Sequence, residues 1–398
     1  MQATTETQGS PVADLGYRLF DADNHYYEAE DAFLRHMDPR LVHRAPRWVE
    51  MVDGGGKRLV FGDRMNRYLG ADQTFSHVGR AGGLSQGQAS VVRQRREDLE
   101  PIRPEARQRD ARLALMDQQG LESTMLFPTL AVSVEPLVID DVELTYANLH
   151  AFNLWLDDDW GLNYQDRIYG VPLLSLLDPF LAVDELEFVV SRGARVVHLR
   201  PGPVAGHSPA DRLFDRFWSA VADADVAVVF HASDDSYRYD LGKVWGWGNV
   251  NVPARHIPPL HRIIAGHGRP IHDTIVSLLY GKLFERFPTL RVGTIELGCA
   301  WVPELLRNLE QAGQGDLAEH PIDVFRKHVW VAPFEDEDIA GLARDIGTER
   351  ILFGSDYPHT DGLAEPASYR DALTGFDAEA VRRIMHDNAR ELVRPTKQ

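Results

Sequence analysis

The sequence predicts an α/β chain folded as a distorted (β/α)8 TIM barrel with a long insertion after the first strand. Three observations lead there. Short runs rich in β-branched or large apolar residues alternate with helical stretches along most of the 398 residues. There are eight such runs, the number at which a parallel sheet with outer helices closes on itself. Four of the runs also end in carboxylate or imidazole side chains, where strands buried on both faces should be apolar. An open doubly wound sheet is the rival architecture.

The first run is 17–25 (YRLFDADNH), followed by 122–130, 169–176, 194–200, 225–232, 291–297, 329–333 and 351–357. Each is bounded by turn signals. Between them, residues 108–120 place Leu113 and Met116 near one face and end at Gly120. Residues 143–161 carry Leu144, Leu149, Phe152 and Leu156 at helical spacing. Residues 207–224 open with Ser208 as an expected N-cap and Pro209 at the first helical position. Residues 273–288 stop at Pro288. No internal repeat stands out.

The rhythm breaks twice. Residues 26–107 hold two alternating runs around Gly54–Gly56, which predict a β-hairpin, and then a Gly-, Gln- and Arg-rich stretch. An insertion of this length predicts a lid or an interface. Residues 233–272 follow the fifth strand with Trp245, Trp247 and many glycines and prolines. Residues 1–16 predict a disordered tail and 17–393 a single barrel.

Composition bounds the partners. Asp plus Glu number 60 against 42 Lys plus Arg, a formal charge of −18, which repels nucleic acid and offers nothing to an anionic membrane surface. Cys299 is the sole cysteine, so an intrachain disulfide is excluded and a reducing, cytoplasmic setting is expected. The N-terminus lacks the basic-then-apolar order of a signal peptide. The expected partner is a small-molecule substrate, and the long insertion suggests a homodimer.

In a barrel the C-terminal strand ends form one rim, where sequence-distant side chains meet. Asp21, Asp23 and His25 share a face at the end of the first strand, His231 ends the fifth, Glu296 the sixth and Asp356 the eighth. With His25 and His231, the three carboxylates of Asp23, Glu296 and Asp356 meet at one point, where they would raise each other's pKa and take up protons unless a divalent cation neutralised them. Mixed nitrogen and oxygen donors suit Zn, Mn or Fe, as one ion or two. Taken singly each residue has a plainer reading: His231 as a hydrogen-bonded structural histidine, Asp356 as a helix cap, Glu296 as the partner of an arginine. The conjunction at four strand ends favours the metal.

The segments FDADNHYYE, VVFHAS, LFERFPTLRVGTIELGCAWVPELL and ILFGSDYPHTDGLAEP, with the terminal IMHDNARELV, resemble the amidohydrolase superfamily, in the branch typified by aminocarboxymuconate-semialdehyde decarboxylase and its hydrolase relatives. The resemblance spans residues 17–393 and implies a rim metal. By position Asp23 and His25 match the family's first-strand ligand pair, His231 its fifth-strand histidine, and Asp356 its metal-touching, proton-handling aspartate. Two departures stand out. Asp23 replaces one of two usual histidines. Glu296 lies where the family usually carries a sixth-strand histidine that serves its decarboxylases as proton donor. That loss tilts the expectation to a metal-dependent hydrolase of a small amide, ester, thioester or lactone, working through metal-activated water with Asp356 as base and His359 assisting. The alternative is a metal-dependent non-oxidative decarboxylase of the same superfamily. Arg200 is a candidate for binding a substrate carboxylate or for pairing with a nearby acid, and Tyr357 for lining the substrate pocket. His256, His261, His267 and His272 are read as surface residues.

Overall fold

The computed structural model describes residues 16–52, 57–61, 64–65, 77–84, 99–232, 234–248, 257–266 and 268–394. Residues 1–15 of the expected disordered tail, residues 53–56 of the expected hairpin, His256 and His267 lie outside the described residues.

Two parallel sheets carry the fold. One pairs β1 (Leu19–Tyr26) with β7 (Leu121–Pro128) and β7 with β8 (Ile168–Gly170). The other runs β9 (Val196–Leu199), β10 (Ala227–His231), β11 (Val292–Ile295) and β12 (Val329–Val331) side by side. Parallel bridges Leu173↔His198, Val331↔Ile351 and Asn24↔Tyr357 join them, the last two through the extended segment 351–357. The ring is therefore β1, β7, β8, β9, β10, β11, β12 and 351–357, which is the barrel and not the open sheet. The eighth member makes bridges instead of a ladder, and within it Asp356 turns into the left-handed region at φ 55°.

All eight residues of β1 are buried, as are all of β9 to β12, so the acids and imidazoles within them stand out against an apolar background. Phe20, Met125, Tyr169, Val229, Ile295, Trp330 and Leu352 fill the barrel, with Phe20 and Tyr169 stacked at 5.5 Å. Each such side chain contributes roughly 1.5–3 kcal/mol on burial. Ala389, Leu392 and Val393 from the helix Asn388–Val393 join this interior cluster. They seal one end, and Arg291 ties that helix to the start of β11 through Nε to the Leu392 carbonyl at 2.9 Å. The plug packs against Gly293 near the start of the strand, so the opposite, C-terminal end is left for polar groups.

Outer helices bury one side against the strands. Val142–Asp159 is capped by Asp141, whose side chain accepts from the Leu144 N–H at 3.0 Å. Pro179–Ser191, not anticipated from the sequence, starts at Pro179 with Asp178 as its cap. The expected start at Ser208 is corrected: a 3-10 turn occupies Arg212–Phe214 and the α-helix is Asp215–Ala224, capped by no side chain. The expected 273–288 helix begins earlier, as Gly268–Tyr280, and is followed by a separate turn, Leu283–Arg286. In the insertion, β2 (Pro46–Glu50) pairs antiparallel with β3 (Lys57–Phe61), the expected hairpin, and β3 with β4 (Arg64–Met65). β5 (His77–Gly79) and β6 (Leu99–Pro101) form a second small ribbon. Among the described residues no helix is long and apolar enough to cross a membrane.

Candidate metal centre

A bulge sets the first-strand donors. The pairing of β1 with β7 slips between Asp21 and Asn24, so the strict alternation that placed Asp21, Asp23 and His25 on one face does not hold. Asp21 turns aside. It accepts from Ser355 Oγ at 2.5 Å, Ser355 N at 3.0 Å and Asn24 Nδ2 at 2.9 Å, riveting β1 to the eighth segment. Burial lifts its pKa to about 6 despite those bonds. Arg112 supports the same strand end: it donates to the Asn24 side chain, and its Nη2 to the His25 carbonyl at 2.6 Å. The sequence signal for Arg112 was an arginine four residues before Met116 on a buried helix face.

Asp23 and His25 remain in the site. His25 Nε2 lies 3.2 Å from Asp23 Oδ1, 3.5 Å from Glu296 Oε2 and 3.4 Å from Asp356 Oδ1. His231 Nε2 lies 3.0 Å from Glu296 Oε2 and 3.6 Å from Asp23 Oδ1. Four strand ends separated by up to 333 positions thus converge as expected. One donor atom from each of Asp23, His25, His231 and Glu296 lies within 4.8 Å of the others, and His25, Glu296, Asp356 and His359 form a second, overlapping group. Glu296 and Asp356 both stand at positive φ, 51° and 55°. Side-chain residues in that region cost free energy and concentrate at functional sites.

The donor atoms fit a divalent cation. Asp23 Oδ1, His25 Nε2 and His231 Nε2 are buried without a hydrogen-bond partner. His231 Nδ1 donates to the Ala232 carbonyl at 3.1 Å, which leaves Nε2 as the bare nitrogen facing the carboxylates. Electrostatics agree. Burial alone would raise Glu296, but the His231 imidazole reverses it and holds the carboxyl well below its ordinary value. Burial would lower His231, yet Glu296 and Asp23 lift it to about 10. Burial together with Glu296 and Asp23 drives Asp356 well above the carboxylate range. The protein alone must hold protons here to balance its charges, and a cation can take their place.

His359 joins the cluster from the loop after Asp356. Its ring centroid is 3.9 Å from that of His25, and its Nδ1 lies 2.5 Å from Asp356 Oδ1. Thr129, which the sequence reading missed, fixes its state. The Thr129 hydroxyl gives its hydrogen to the Tyr26 carbonyl at 2.8 Å, so it can only accept at His359 Nε2, 3.0 Å away. Nε2 therefore carries a hydrogen, and Nδ1 and Asp356 share one proton between them. Burial and His25 depress His359 to about 3, while burial, Glu296 and Asp23 raise Asp356, so without a cation the shared proton favours Asp356.

Arg200 and Tyr357 stand outside this group. Arg200 is buried at the end of β9, with Nη1 3.2 Å from Asp240, Nε 3.4 Å from Glu135 and Nη2 donating to the Pro203 carbonyl. Tyr357 faces away from its neighbour Asp356: its ring lies 5.4 Å from the Arg112 guanidinium, and it lines a cavity of about 360 Å³ with Tyr27, Val78 and Arg103. His261 stacks on Trp247 at 3.9 Å, and His272 bonds Asp273, so neither approaches the donors through these contacts.

Residues 20–394 match the amidohydrolase family. An amidohydrolase from Mycobacterium avium subsp. paratuberculosis K-10 has the same fold over 95% of this chain and 99% of its own, with TM-score 0.84 and 38% identity. A dihydroxybenzoic acid decarboxylase from Polaromonas sp. JS666, with bound manganese and the inhibitor 2-nitroresorcinol, covers 95% of this chain and 97% of its own at TM-score 0.58 and 17% identity. The gamma-resorcylate decarboxylase of Rhodococcus jostii RHA1 is 22% identical over 301 residues, 69% of this chain and 84% of that one. These decarboxylases overturn the expectation of hydrolysis, and with it the thioesterase and amidase readings. That expectation rested on the missing sixth-strand imidazole, and the structure brings an imidazole, His359, into the cluster from beyond the eighth segment.

Proposed function

The chain belongs to the amidohydrolase family, and on that premise we propose that it is a metal-dependent non-oxidative decarboxylase of a small aromatic acid bearing a hydroxyl beside its carboxylate. The observation that carries this reading is the 2.5 Å contact between Asp356 Oδ1 and His359 Nδ1, directly against the metal-donor quartet. Replacing CO₂ by hydrogen requires one positioned acid, and a neutral carboxylic acid in a buried site is one.

Asp23, His25, His231 and Glu296 would hold the divalent ion, with Asp356 beside them and manganese the first choice, as in the Polaromonas relative. When bound, the ion would supply positive charge that offsets the negative charge of the substrate carboxylate. Asp356 delivers its proton to the ring carbon that bears the carboxylate. The bond from that carbon to the carboxyl carbon then breaks, its electrons restore the ring, and CO₂ leaves. Asp356 regains a proton from solvent, and His359, its Nε2–H held by Thr129, accepts from the Asp356 carboxyl through Nδ1 and keeps it oriented. We take residues 26–107 as a cover for the site within a single barrel of residues 17–393. The Leu84 N–H donates to the Thr360 carbonyl at 3.0 Å, so the insertion rests on the loop that carries His359.

The test is to incubate manganese-loaded protein with 2,6-dihydroxybenzoate and related ortho-hydroxybenzoates in D₂O. The expected result is one CO₂ per turnover and one deuterium at the vacated ring carbon, both lost on chelation. Release of no CO₂ from any hydroxybenzoate overturns the proposal.

A further inference from the structure

Glu296 is the most exposed member of the donor quartet, its side chain a quarter exposed against 1–5% for Asp23, His25 and His231. Side-chain packing therefore does least to hold it, and its backbone sits at a positive φ that a glutamate does not favour. Something must hold the chain just beyond it.

That support comes from the loop after β12. The Glu337 carboxylate accepts from the Cys299 N–H with both oxygens, at 2.9 and 2.7 Å, from the Ala300 N–H at 2.9 Å, and from the Phe334 N–H at 2.8 Å. One carboxylate thus ties the turn following Glu296 to the turn following β12. The fit is close: a Cβ on Gly298, at φ 60°, would come within 2.8 Å of the Glu337 carboxylate and 2.9 Å of the Phe334 ring, so only glycine lets the two loops meet. Charged acceptors make the stronger hydrogen bonds to backbone N–H groups. Glutamine cannot replace this one, because its NH₂ end would face an N–H donor.

We infer that Glu337 is a positioning residue for the metal site, holding the Glu296 turn so that its carboxylate stays within reach of His25 and His231. The inference rests on the metal reading given above and extends it to a residue that touches none of the four donors in the described contacts. Partners behind metal ligands typically govern affinity by about 10–100-fold.

The experiment is Mn(II) binding to metal-stripped full-length protein by calorimetric titration, for wild type, Glu296→Gln, Glu337→Gln and the double variant, each first checked for a cooperative melt without metal. The expected result is that Glu337→Gln weakens Mn(II) binding by about tenfold or more, and that it weakens it no further once Glu296 is already glutamine. A purely structural role would not show that coupling. Wild-type affinity in Glu337→Gln, or a full additional loss in the double variant, overturns the inference alone. Wild-type protein that takes up no Mn(II) overturns the reading of the site and the inference with it. If Glu337→Gln yields no folded protein, Glu337→Asp, which keeps the charge but is one methylene shorter, is measured against the same background with the same two readings.

Discussion

Gly354→Ala tests whether closure of the barrel fixes the donor geometry. Gly354 lies two residues before Asp356, and a Cβ built there would stand 2.6 Å from the Asp23 Cβ and 3.6 Å from its carboxyl carbon. Two carbons in ordinary contact are about 3.5–4.0 Å apart, so one backbone must give way by about 1 Å. Asp23 cannot move alone, because its carbonyl accepts from Asp356 N at 2.8 Å and its N–H donates to Asp21 at 3.1 Å. The displacement therefore passes to both carboxylates at once. Overpacking of this kind costs about 1–3 kcal/mol of stability, and a misplacement of about 1 Å in an active site costs on the order of a hundredfold in rate. Urea unfolding of the metal-free protein, Mn(II) titration and CO₂ release provide the three readings. The expected pattern is a modest fall in the unfolding midpoint with a much larger fall in kcat and metal affinity. Equal affinity and kcat in the variant and the wild type would refute the reasoning, since the site would then be shown to tolerate independent movement of Asp23.

Asp356→Asn keeps the shape but has no proton to give; kcat should fall by about 10²–10⁴-fold, and CO₂ release within tenfold of wild type would exclude Asp356 as the acid. Thr129→Val removes the acceptor at His359 Nε2. The expected fall in kcat is about tenfold, equivalent to about 1.4 kcal/mol, with Thr129→Ser retaining activity; equal losses in both would show that the hydroxyl is irrelevant. Glu28 is buried and accepts from Leu130 N at 2.7 Å and Ala131 N at 2.9 Å, and burial raises its carboxyl from 4.5 to about 7. The folded protein holds this proton more tightly than the unfolded chain does. Its contribution to stability is therefore full below pH 4.5 and lost as the pH rises through about 7. In metal-free protein the difference in unfolding free energy between wild type and Glu28→Gln should shrink by about 3 kcal/mol across that window; a difference that does not change with pH would contradict it. Arg200→Met should leave Glu135 and Asp240 facing each other without their shared cation, costing about 3–5 kcal/mol of stability, whereas a loss confined to KM would favour a substrate contact.

The chain's linear pattern was enough to give the barrel, its eight runs, the insertion hairpin and the convergence of Asp23, His25, His231, Glu296 and Asp356. These are written locally: a buried strand must be apolar, so a carboxylate or imidazole at its end stands out against its own neighbours. What local pattern could not give is which polar groups take each other as partners. Asp21 alternates with Asp23 and His25 in the sequence, but a bulge turns it to Ser355, 334 positions away. Thr129 reads as an ordinary strand-end threonine until closure of the ring brings it to His359, 230 positions away, and the direction of one hydroxyl bond fixes where a proton sits. Glu337 reads as one acid in an acidic turn until the loops after β11 and β12 lie side by side. Hydrogen bonds are short-ranged and directional, so their pairing belongs to the closed barrel, while the hydrophobic period that builds the barrel is already present in each strand.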